Sequence, residues 1–136
     1  MTKILGLDIG EKRIGVAIAH EKTVASFGII ENNNLDEAMS EIGKICRQEN
    51  ISKIIIGIPK FQDNVQADKI YKFALMLAQN LNLSVDFVDE TLTSKEAERE
   101  LEGSNLNPKT KEFKEEVDKL SAKYILEQYI NQIRKK

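Results

Sequence analysis

The sequence predicts an α/β fold in which a mixed five-stranded sheet, three antiparallel strands followed by two parallel crossovers, carries helices on both faces. Three observations predict it. Short apolar segments joined by tight turns open the chain, the hydrophobic period then lengthens from two residues to about 3.6, and two further apolar runs return between the helical stretches. With 136 residues, 41% of them hydrophobic and 31% charged, the chain is expected to form one domain over residues 1–136. A chain of that size buries a core without disulfide staples.

Residues 3–8 read as a strand, Ile-Leu-Gly-Leu, that ends in the carboxylate of Asp8. A turn at 10–12 leads to a second strand over 13–19, where Ile14, Val16 and Ile18 alternate with small residues, a pattern suited to burial on both faces. Residues 23–30 complete a meander. Leu35, Ala38, Met39, Ile42, Ile45 and Cys46 then recur at helical spacing, and Asn34 with Glu37 supplies a capping start. The continuous apolar run at 53–58 suits a buried parallel strand. A helix follows with Ala67, Ile70, Ala74, Leu77, Ala78 and Leu81 on one face, then a fifth strand at 84–89. Thr93 and Glu96 mark a short helix that stops at Gly103, residues 104–112 read as a polar loop, and a last helix is expected over 115–133. This order, β-β-β-α-β-α-β-α-α, is that of the RNase H-like fold.

Composition narrows the function. No apolar run approaches the ~20 residues that span a bilayer, and the N-terminus lacks the apolar core of a secretory signal. The lone Cys46 lies in a helical apolar pattern and is expected to be a core thiol. These features favour the cytoplasm. The formal net charge of -2 offers nucleic acid no bulk attraction, so phosphate binding requires a local cationic patch.

Three carboxylates stand out. Asp8 closes the first strand before a glycine turn, where either chemistry or turn formation would account for it. Asp118, Ala122, Ile125 and Tyr129 share one face of the last helix, and Asp118 is the polar member of that stripe. A carboxylate there is costly unless it is paired, hydrogen-bonded or bound to a metal, although a helix start also favours Asp. Glu90 follows Asp89 at the end of the fifth strand, where the two alone would pass for a solvated acidic pair. Taken together, the three would converge at the carboxyl edge of the sheet, the usual place for a site in such folds. Their mutual repulsion calls for a cation, and hard oxygen ligands suit Mg²⁺ or Mn²⁺. Two such ions ~3.5–4 Å apart serve phosphodiester hydrolysis.

At these residues a resemblance emerges. Leu5-Gly6-Leu7-Asp8-Ile9-Gly10-Glu11-Lys12-Arg13-Ile14-Gly15-Val16-Ala17, Gly57-Ile58-Pro59, Asp89-Glu90-Thr91-Leu92-Thr93-Ser94 and Val117-Asp118-Lys119-Leu120-Ser121-Ala122 resemble, in order, four motifs of the YqgF/RuvX family. Its members are described as pre-16S rRNA nucleases and as Holliday junction resolvase-like proteins. The resemblance implies an RNase H-like fold, a metal-dependent phosphodiesterase site at Asp8, Glu90 and Asp118, and maturation of the 5′ end of 16S rRNA. Ribosomal precursor particles would then be partners. The chain departs from the family at Thr91, where an arginine is usual, and at Asp63-Asn64, where Asp-Gly is usual; both departures bear on substrate contacts.

Lys12 and Arg13 are the candidate substrate-binding residues, with Arg13 alternatively paired to a nearby acid. Lys109, Lys111 and Lys114 are interleaved with acids and read as a solvated segment; Arg134-Lys135-Lys136 reads as a solubilising tail. His20 is expected to be a turn residue, and Tyr124 and Tyr129 to be core. Two other readings are an ATP binder of the sugar-kinase and actin type, which needs a second domain, and a catalytically weak RNA-binding assembly factor. Branched DNA remains a substrate alternative to rRNA. Junction cleavage would favour a two-fold dimer, because it needs paired symmetric incisions; the chain is expected to be a monomer or a homodimer.

Overall fold

Strand β1 (Lys3–Ile9) is central and buried through its middle, Leu5 to Leu7, with a partner on each side: β2 (Arg13–His20) antiparallel on one and β4 (Ile51–Ile58) parallel on the other. The computed structural model of the chain describes residues 2–59, 64–89 and 93–134. Strand β3 (Thr23–Glu31) extends the antiparallel meander beyond β2, and β5 (Ser84–Asp89) pairs parallel with β4, giving the order β3-β2-β1-β4-β5. Helices α1 (Leu35–Gln48), α2 (Asn64–Leu81), α3 (Thr93–Leu101) and α4 (Lys111–Arg134) complete the chain. The predicted element order and mixed sheet are both present. Among the described residues no helix is long and apolar enough to cross a membrane.

The period-two pattern of the strands divides the core between two layers. Leu5, Leu7, Ile14, Val16, Ile54 and Ile56 face Ala38 and Ile42 of α1 and Ile70 and Leu77 of α2. On the other face Ala17, Ala19, Ile55 and Val88 meet Ala122, Ile125 and Leu126 of α4. Burial of Ile125 and Leu126 contributes about 2 kcal/mol each. The Cys46 thiol belongs to the first layer, where burial pushes its pKa up to about 11, as suits a core residue and not a nucleophile.

Local chemistry sets the ends of the elements. Asn34 caps α1 by accepting from the Glu37 amide at 3.1 Å, as its sequence position predicts. Asn50 and Asn82 adopt positive φ where α1 and α2 turn back into strands, a conformation that asparagine tolerates. The last helix begins at Lys111, four residues before the predicted start at 115. Thr110 Oγ1 accepts from the Phe113 amide and Phe113 is buried, so the first turn is held by a cap and an apolar anchor that the interleaved charges concealed.

Helix α4 lies unusually close to the sheet. A Cβ built at Gly15 would overlap the Asp118 carbonyl, and one at Gly6 would overlap the Leu126 side chain. Farther along, Lys53 of β4 binds Asp86 of β5 at 2.6 Å and stands 5.3 Å from the Tyr129 ring, fastening the other half of α4. Tyr129 is thus a packing residue, as predicted. At Gly15 the obstacle is helix backbone, whereas at Gly6 it is a side chain that can turn. Gly15→Ala is therefore expected to destabilise the protein by about 1–3 kcal/mol and Gly6→Ala by less, as measured by urea unfolding.

Candidate active site

The same close approach brings two predicted carboxylates to one place. Asp8 and Gly15 are direct partners in the β1–β2 ladder, so their side-chain directions share a face. Gly15 meets the Asp118 backbone, and Gly6, two residues before Asp8, meets Leu126. Asp8 therefore faces α4 at the level of Asp118, at the carboxyl end of the central strand. It is half-buried.

Arg13 completes this row. It lies two residues before Gly15 on the same face, and its Nε donates to Asp118 Oδ2 at 3.0 Å. Their side chains are only 18% and 25% exposed, so the pair is shielded from water far more than an ordinary surface ion pair. Even so, burial dominates and raises the Asp118 pKa, with the Arg13 hydrogen bond and charge opposing it and Glu115 adding to it. Of the two sequence alternatives for Arg13, pairing with an acid is the one observed. Lys12 is exposed on the turn after Asp8.

That turn is stiff. Gly10 N–H donates to the Arg13 carbonyl at 2.9 Å, Asn32 N–H to the Lys12 carbonyl at 2.9 Å, and Asn32 Nδ2 to the Gly10 carbonyl at 2.8 Å. Sequence reasoning missed Asn32, which is the first of three consecutive asparagines and carries no periodic signal. Its role depends on a contact with a residue 22 positions away.

Among the described residues no group of three His, Cys, Asp or Glu side chains forms a metal cluster. The third predicted ligand, Glu90, lies outside those residues, as do Thr91, Asp63, Lys135 and Lys136. Lys109, Lys111 and Lys114 are exposed, and Lys111 stands 3.7 Å from Glu31, in keeping with a solvated segment. His20 is half-buried at the end of β2, less exposed than a free turn residue. Tyr124 joins α4 to α3 by donating to Glu100 at 2.6 Å; burial and that carboxylate push its phenol up to about 12.

A family model described as "RuvX: Holliday junction resolvase" matches residues 2–132. The chain belongs to the RuvX family. A protein of Syntrophomonas wolfei is 35% identical over 134 residues, covering 95% of this chain and 94% of its own. One of Clostridium acetobutylicum is 34% identical over 136 residues, covering 96% and 99%. Both bear the name "Putative pre-16S rRNA nuclease". In fold the RuvX chain is similar to Thermus thermophilus RuvC in complex with a Holliday junction, with TM-score 0.56 and 14% identity over 97% of this chain and 96% of that one. It is also similar to the Fowlpox virus resolvase in complex with junction DNA, with TM-score 0.58 and 15% identity over 97% and 99%. These likenesses show the RNase H-like fold, and family membership makes the protein a nuclease.

The electrostatics of Asp118 carry a consequence for stability. A carboxylate whose folded pKa is raised favours the protonated form in the folded state. The metal-free protein therefore loses stability at this group as pH rises from the ordinary carboxylate range through the raised value. Asp118→Asn removes that cost and retains an acceptor for Arg13. It is expected to raise the melting temperature of the metal-free protein at pH 7, and to leave it nearly unchanged at pH 3, in calorimetric scans.

Proposed function

We propose that the protein is a divalent-cation-dependent endonuclease acting on pre-16S rRNA in the cytoplasm, with residues 1–136 working as one domain. The observation that carries this reading is the convergence of Asp8 and Asp118, from opposite ends of the chain, on one face of the sheet edge. The donor chemistry fits a cation: both groups are hard oxygen ligands, and Asp118 sits where burial disfavours its charge more than Arg13 offsets it. Glu90 enters by its sequence position, directly after β5, and by its place in the family motif. Asp8, Glu90 and Asp118 would hold Mg²⁺ or Mn²⁺, two ions in the fullest arrangement. The ions would activate water and stabilise the leaving oxygen.

The chain's own groups supply positioning. Arg13 fixes the Asp118 carboxylate through Nε, and the two terminal nitrogens of the same planar group would serve a substrate phosphate. Lys12 offers a second cation at the exposed turn, which Asn32 holds in place. The rRNA substrate is favoured by the names of the relatives, and junction DNA is the substrate named for the structural neighbours.

The test is hydrolysis of a pre-16S rRNA 5′ leader and of a four-way DNA junction, with Mg²⁺ and with Mn²⁺. The natural protein is expected to cut the RNA, and Asp8→Asn to lose about 100-fold or more of that activity. Equal rates for the two proteins would sink the carboxylate–metal reading. Preferential cutting of the junction would overturn the rRNA assignment.

A further inference from the structure

On the other side of the sheet edge from Asp8 lies a groove of about 700 Å³ to which no role has yet been given. Its floor is Ile9, Ile70 and Phe73; Leu35 and Met76 stand on its rim, 45% and 37% exposed. Large apolar side chains held open to water around a concavity are the usual mark of a binding surface. The polar side chains that line it are those of Asn32, Gln66, Glu11, Lys69 and Lys72. Among the described residues neither Lys69 nor Lys72 makes an ion pair, although most of the other described surface ion pairs engage lysine.

Two facts relate this groove to the active edge. Ile9 directly follows Asp8 and, by strand alternation, points to the opposite face. Gly10 and Asn32, which form the stiff turn beside Asp8, are also groove wall. A strand whose phosphate lay at Asp8 and which crossed the Gly10 turn would pass toward the groove.

We propose that this groove binds one unpaired nucleotide of the substrate strand, with its base on the Ile9–Phe73–Met76 surface and its phosphate at Lys69 and Lys72. An apolar floor suits a base face, amides suit a base edge, and two cations against one carboxylate favour an anionic backbone. A duplex keeps its bases stacked inside and has none to offer. The inference rests on the nucleic-acid reading of the Asp8 edge and names the form of substrate that edge receives.

The test is binding in EDTA, where no cleavage occurs, so it is independent of the metal chemistry. The probes are a 12-nucleotide single-stranded RNA carrying 2-aminopurine, its duplex, and adenosine monophosphate. The natural protein is expected to bind the single strand at least about tenfold tighter than either other probe, with a change in 2-aminopurine emission. Lys69→Gln/Lys72→Gln should weaken binding about tenfold and reduce the slope of log K against log salt by about 0.7, the value for one lost phosphate contact. Leu35→Ser/Met76→Ser should weaken binding and abolish the emission change while keeping the slope. Circular dichroism checks that each variant folds, and because Lys69 and Lys72 are exposed their replacement leaves the core intact. Wild-type affinity in both double variants, equal affinity for duplex, or no binding in EDTA would each overturn the inference. So would a concentration-dependent dimer lost in Leu35→Ser/Met76→Ser, which would assign the groove to a second copy of the chain. Binding through the groove without hydrolysis at any metal concentration would leave this inference standing and defeat the proposed nuclease mechanism.

Discussion

The approach of α4 to the sheet at Gly15 is the constraint on which the site depends. The helix backbone at Asp118 occupies the space where any other residue at position 15 would carry a side chain. The small residues Ala17 and Ala19 continue this approach along β2, and Gly6 accommodates Leu126 on β1. Hydrophobic burial of Ile125 and Leu126 holds the helix down. Close packing then sets two carboxylates and a guanidinium at one level, where desolvation would otherwise disfavour them. The core thus stabilises an arrangement that is locally unfavourable, as functional sites commonly require.

Much of this was legible in the sequence because it is periodic. The change from a two-residue to a 3.6-residue period marks the elements, and Asp118 stood out because it interrupts an apolar helical stripe. Asp8 was visible as a strand-end carboxylate. The partnership of Arg13 with Asp118 was open to two readings, since a strand residue and a helix residue 105 positions apart show their distance only in three dimensions. The first turn of α4 was obscured because its start depends on the Thr110 cap and on Phe113, within a run of alternating charges. Asn32 was missed for a similar reason: it acts through one long-range side-chain bond, which leaves no pattern along the chain.

The acidic balance of the chain, a net -2, is consistent with a nucleic-acid role when charge is placed locally and not in bulk. The carboxylates gather at the α4 face of the sheet edge, Lys12 sits on the turn between the faces, and Lys69 and Lys72 border the groove on the α2 face. A strand crossing the edge would thus meet cation-binding groups first and cations with apolar surface next. On the proposed reading, this separation would let one sheet edge serve hydrolysis on one side and recognition on the other.

The central claim, that Asp8 and Asp118 form one cation site because α4 rests on Gly15, is tested most directly by diffraction from crystals soaked in MnCl₂ at the manganese absorption edge. The account predicts an anomalous peak within ~2.0–2.3 Å of carboxylate oxygens of both Asp8 and Asp118. A fully occupied manganese site elsewhere in the molecule, with no density between these two carboxylates, would contradict it.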